Sequence, residues 1–185
     1  LSCPVDIVRL GIPRTRLPMA YRHGILLVLL ATAPALADDA QFLGHAIETD
    51  GAADARQVLR AKGTRYAIPG MPAQIVRKAQ VCLARPDSQA GIVSVDAEGG
   101  RLVAISRVEF RGAAGIGLAK GRLALEAGDG AFQVVLGNLG IRQGAADANG
   151  DEVFQPLAMR PDSGWEPALA ALIGVEQALV DCMFL

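Results

Sequence analysis

The stretch GAAGIGLAKGR sets Gly115, Gly117 and Gly121 around Lys120, residue types that can cradle a phosphate. A dinucleotide fingerprint needs a third glycine where Lys120 stands. A P-loop needs glycine directly before the lysine, where Ala119 stands, and both motifs need a helix to follow. A strand pattern follows instead, so this segment reads as a flexible loop between two hairpins. In DANGDE, Asp147, Asn149 and Asp151 have calcium-loop spacing. Glu152 and Ala158 stand where that loop requires glycine and a bidentate glutamate, so a solvated acidic loop is expected. His45 lies in an N-terminal lead-in, away from the expected core. A nucleophilic site would need it held against a serine or cysteine by a third group, and no G-x-S-x-G elbow is present. One histidine and two distant cysteines, Cys82 and Cys182, do not make a zinc set. Trp165 reads as a packing staple, and Arg101 and Arg107 as a solvated strand face. The carboxylates Asp96, Glu98 and Asp129 would serve a hydrolase if they converged in one cleft with raised pKa values. They fall in hairpin turns, where Asp is wanted for backbone reasons. No catalytic, cofactor-binding or metal-binding residue is assigned, and no cofactor is expected.

The compartment narrows the chemistry further. Arg22 and His23 precede an apolar run from Ile25 to Leu30, then Ala35 and Ala37 in an A-x-A arrangement, then Asp38 and Asp39. That is the anatomy of a secretory signal peptide. A bilayer span needs about 20 apolar residues, and this run is shorter and closed by Pro34. Residues 1–18 are expected to be an upstream extension, 19–37 the signal peptide with Met19 as the true start, 38–62 a lead-in, and 63–185 a single domain. The working protein would be periplasmic or secreted, with its N-terminus near Asp38 and no membrane span after cleavage.

From Asp38 onward the chain carries fourteen Lys and Arg against eighteen Asp and Glu, a formal charge of −4. A polyanion binder wants a basic excess. No cluster of Lys and Arg stands out along the chain, so nucleic acid is not an expected partner.

The elements follow from period and punctuation. Asp50 to Gly63 is Ala-rich and predicts a short helix, and TRYAIPG a strand with Tyr66 and Ile68 on one side. MPAQIVRKAQVCLARP predicts a helix, with Pro72 in its first turn and Ile75, Ala79, Cys82 and Leu83 on one stripe. Ile92–Val95 and Leu102–Phe110 form a hairpin about Ala97–Gly100. GRLALEAG and AFQVVLGNL form a second about Gly128–Gly130. Residues 141–166 read as a long loop. EPALAALIGVEQALVDCMF predicts a last helix with Leu172, Val175, Leu179 and Cys182 inward. The order strand, helix, four strands, helix gives an α+β fold: an antiparallel sheet of about five strands with two helices packed on one face.

These segments resemble a known family. TRYAIPGMPAQIVRKAQVCLARPDSQAGIVSVDAEGGRLVA followed by GRLALEAGDGAFQVVLGNL is similar to the bacterial envelope domain of unknown function 4468, which has a TATA-binding-protein-like fold. Asp96–Gly100 takes the place of its D-x-x-x-G hairpin, and Asp129, Gly130 and Phe132 that of its second turn. The helix departs from the pattern, with Cys82 and Leu83 where such families often carry Trp. The resemblance covers residues 63–140 and the last helix. It implies a fold and an envelope location, and no catalytic residues.

The chain direction decides the cysteines. With four strands between them the two helices run antiparallel, which places Cys82 and Cys182 at opposite ends of the sheet as separate thiols. A further strand in EVFQPLAM would reverse the last helix and bring the sulfurs together. The functional expectation is a non-enzymatic binding or scaffolding module for an envelope protein, a peptide or a small apolar ligand held between sheet and helices. The alternative is a carboxylate-dependent envelope hydrolase.

Overall fold

The computed structural model describes residues 40–51, 56–143 and 153–185. The signal peptide, Asp38 and the Asp147–Asp151 spacing lie outside them.

The elements run β1 (Ala40–Phe42), β2 (His45–Asp50), β3 (Gln57–Ala67), α1 (Pro72–Leu83), β4 (Ala90–Asp96), β5 (Arg101–Gly112), β6 (Gly115–Gly128), β7 (Ala131–Gln143), β8 (Gln155–Pro156) and α2 (Trp165–Phe184). The strands form one antiparallel sheet in the order β1-β2-β3-β7-β6-β5-β4, with β8 paired to β7. The class is α+β as expected, but among the described residues the sheet has eight strands where about five were predicted. The lead-in is not loose: it supplies β1 and β2. The helix predicted over Asp50–Gly63 is not found where those residues are described: Asp50 ends β2 and Gln57–Gly63 begin β3, whose buried residues Val58, Ala61 and Gly63 alternate with exposed arginine and lysine.

The glycine-rich stretch is not an inter-hairpin loop. β5 and β6 pair without interruption from Arg101↔Glu126 to Gly112↔Gly115, leaving only Ala113-Ala114 as the turn. A Cβ on Gly117 would strike the Phe110 ring, and one on Gly121 would press on Leu139 and Leu172. These glycines therefore let core side chains close onto the sheet.

One face of the sheet is apolar because pairing stacks inward residues in rows. Leu102, Leu125 and Val134 form one such row, and Ala104, Leu123 and Leu136 the next. All six are fully buried. Each large aliphatic side chain so buried contributes about 1.5–3 kcal/mol. Both helices cover this face. α1 lays down Ile75, Val76, Ala79 and Leu83; α2 adds Leu169, Leu172, Leu179 and Met183. The Gln74 Oε1 accepts from the Met71 N–H at 2.9 Å at the start of α1, which satisfies one of the amides that a helix N-terminus leaves open. Ser88 Oγ donates to the Leu83 carbonyl at 2.8 Å at its end. α2 is long and apolar enough by length and composition to cross a membrane, yet its stripe is spent on the sheet.

Cys82 and Cys182 form a disulfide, with Cα atoms 5.9 Å apart. The separate thiols predicted from the sequence are thus corrected, and the reason is β8. It runs antiparallel to β7, although only two residues long and ending on Pro156. That reversal sends α2 off in the same direction as α1, so both C-terminal ends meet.

Candidate functional site

His45 is the largest departure from the sequence reading. On β2 it alternates with Ile47, and both point inward. His45 is 7% exposed and its Nε2 lies 2.9 Å from Oε2 of Glu176, which is 1% exposed on α2. Its Nδ1 lies 3.1 Å from the Leu43 carbonyl. A carbonyl only accepts, so Nδ1 carries a proton, and a proton on Nε2 as well completes an imidazolium bonded to a carboxylate. The hydrogen bond to Glu176 raises the His45 pKa above 6.5 against the desolvation that lowers it, with help from the Glu176 charge and the Leu43 carbonyl. Glu176 approaches the sheet over Gly63, where any Cβ would strike Oε1. That Oε1 is buried with no hydrogen-bond partner among the described residues. Glu176 had a legible signal: it stands four residues after Leu172 and three before Leu179, inside the apolar stripe of α2. The pair couples β2 to α2. Among the described residues no serine or cysteine is bonded to His45, and neither member lines the grooves described below.

The remaining candidates do not converge. Asp96, Glu98 and Asp129 are exposed in their turns. Asp96 Oδ1 accepts from the Gly99 N–H at 2.8 Å, which is the backbone role expected of it. The two turns are tied by Ala127 N–H to the Gly100 carbonyl at 2.7 Å, a main-chain contact rather than a carboxylate cluster. Among the described residues no group of three or more His, Cys, Asp or Glu is placed to hold a metal ion. Trp165 packs on Phe42 with ring centroids 5.3 Å apart, the staple expected of it. Among the described residues, a hollow of about 60 Å³ lies beside the disulfide, between the ends of α1 and α2.

The open face of the sheet is where the surface is unusual. Reading across strands at paired positions, Arg60, Gly137, Arg122 and Ile105 form one row. Lys62, Val135, Ala124 and Val103 form the next. Arg65, Gln133, Glu126 and Arg101 form a third. Lys120 pairs with Arg107 beyond them, and the Phe154 ring sits 5.3 Å from Lys120 Nζ and 5.9 Å from the Arg107 guanidinium. Cations spread along the chain are gathered here by strand pairing. Glu48, 3.7 Å from Arg60, Glu109 and Glu126 are interspersed. Over Val135 and Gly137 lies a groove of about 350 Å³, walled by Arg60 and Lys62 on β3 and by Arg122 and Glu126 on β6. A second hollow of about 300 Å³ continues it past Arg122 and Asn138 to Phe154.

No family model matches the chain, and no curated protein matches it. Two solved structures resemble its fold. One is a DUF4468 family protein from Bacteroides ovatus, 13% identical, covering 69% of this chain and 86% of that one with a TM-score of 0.47. The other is a TBP-like protein from Parabacteroides distasonis, 8% identical, covering 78% of this chain and 96% of that one with a TM-score of 0.49.

Proposed function

We propose that the chain is a non-enzymatic binding module of the bacterial periplasm that docks a partner on the open face of its sheet. One observation carries this reading. Both helices cover one face of the sheet, while the other holds a groove of about 350 Å³ with a half-buried apolar floor and charged walls. Val135 and Ala124 on that floor offer apolar contact, and Arg60 and Arg122 beside them are of the residue type enriched in protein-binding surfaces. The Cys82–Cys182 bond supports a location outside the cytoplasm, where disulfides persist.

Site-specific photocrosslinking in the exported protein tests the docking face. A photoreactive residue at Val135, on the groove floor, should give adducts. One at Val81, exposed on α1, should not. Adducts from Val81 alone, or from neither position, refute the reading. Export is tested separately: expressed from Met19, the exported fraction should begin at Asp38, and an intact mass that retains Ile25–Leu30 overturns it.

A further inference from the structure

We infer that the groove takes an acidic polypeptide segment interleaved with apolar residues. The inference rests on the docking face proposed above and names its partner class.

Three features of the groove select that class. The first is its width. Arg60 and Arg122 flank Gly137 across one strand on each side, and strands two apart in a sheet lie about 10 Å from one another. Gly137 presents no side chain between them, so the row is a slot wide enough for one extended chain with a guanidinium on either wall. The second is charge. Arg122 and Lys62 are exposed, and Arg122 has no ion pair among the described residues. Carboxylates entering the slot would form charge-assisted, bidentate bonds with its guanidinium groups. The third is what separates a peptide from a polyanion. Glu48 and Glu126 stand in the same walls, where a continuous phosphate chain would meet them directly. The floor carries apolar side chains, Val135 and Ala124 half-buried and Leu59 45% exposed, beside Gln133 and Asn138. A phosphate polymer gains nothing from that floor, whereas Val or Leu side chains between acidic residues would cover it. A peptide can place its carboxylates on the cations and omit them opposite the glutamates, which a uniform polymer cannot do.

The test uses the whole exported chain and a fluorescent twelve-residue peptide of Glu interspersed with Val and Leu, titrated at low salt by anisotropy. Comparison arms are the same peptide with every Glu replaced by Lys, the same peptide with every apolar residue replaced by Ser, and inorganic polyphosphate. The acidic apolar peptide should bind at least tenfold more tightly than each of the other three. Arg122→Glu and Lys62→Glu, both exposed substitutions, should each weaken it at least tenfold while leaving the melting temperature unchanged. Binding of polyphosphate as tight as the peptide assigns the face to polyanions and overturns the inference. Equal binding of the Lys peptide overturns its charge basis while the docking face survives. A chain that self-associates through this face in sedimentation, with dimers abolished by Arg122→Glu, also overturns it in favour of a second copy. No binding by any probe overturns the partner class, and the Val135 crosslink then decides separately whether the face docks anything.

Discussion

Replacing both bonded cysteines, Cys82→Ala with Cys182→Ala, should remove a large share of the stability of the fold. The bond closes a loop with a sequence separation of 100. In the chain-entropy account a closed loop of about 100 residues is worth about 4.7 kcal/mol at 25 °C, because the open unfolded chain regains the freedom the bond denied it. The Cα separation of 5.9 Å is an ordinary one for a disulfide, so no distortion of the helix ends offsets that figure. Both sulfurs are buried between α1 and α2, and deleting them widens the small cavity of about 60 Å³ beside them, which adds to the loss. Against a domain stability of about 5–15 kcal/mol, this leaves a marginal protein. Equilibrium urea unfolding of the oxidised parent and the double variant reads the difference. With a slope of about 2 kcal/mol per molar, within the usual range, the midpoint should fall by about 2 M. Reduced parent should behave like the variant, and the oxidised mature chain should show no free thiol in denaturant. A midpoint shift under about 0.5 M, or two free thiols per chain, would refute the loop-closure reasoning or the pairing itself.

Two further outcomes are expected. Because hydrogen bonding to Glu176 raises the folded pKa of His45 above its unfolded value, the stabilisation from that pair is fully present below about pH 6.5 and is lost as pH rises through the folded value; the melting temperature should therefore fall between pH 6 and pH 9, and Glu176→Gln should flatten that slope, an unchanged slope counting against the pair. Leu83→Ala, on the buried stripe of α1, should cost about 2–5 kcal/mol through lost contact and the cavity left behind, and a denaturant midpoint equal to the parent's would show that the site collapses or that the helix is not packed there.

The sequence made some elements legible because proline and glycine punctuate them. Pro72 and Pro86 bracket α1, and Asp96–Gly100 and Gly128–Gly130 mark their turns, so helix stripe and hairpins were readable. β1 to β3 were not. In QVLRAKGTRYA the inward residues Ala61 and Gly63 are small, which gives alternation too little hydropathy contrast to outweigh the helix propensity of Ala, Arg and Lys. The smallness of Gly63 has a cause seen only in three dimensions, since Glu176 needs the space above it. The same holds for Gly117 and Gly121, whose neighbours Phe110 and Leu172 lie on other elements. The direction of α2 turned on β8, whose two residues include a proline and carry almost no strand signal. The gathering of cations was invisible because β3 carries Arg60, Lys62 and Arg65, β6 carries Lys120 and Arg122, and β5 carries Arg101 and Arg107 in separate stretches of sequence, and only the pairing of β3, β7, β6 and β5 sets them side by side.

The covalent bond also decides how the fold would answer to force. Pulled from its two ends, the chain bears load through Cys82 and Cys182, and everything between them is bypassed. β4, β5, β6, β7 and β8 all fall inside that closed loop, while β1, β2 and β3 lie outside it. A stretched molecule can therefore surrender β1 to β3 as free length. The sequence separation of 100, about 340 Å of extended chain at roughly 3.4 Å per residue, stays locked away until a reductant cuts the bond. In a single-molecule trace the oxidised domain would show a short release, and the reduced one the long one as well. The half of the sheet that carries most of the groove is thus the half that tension cannot spool out.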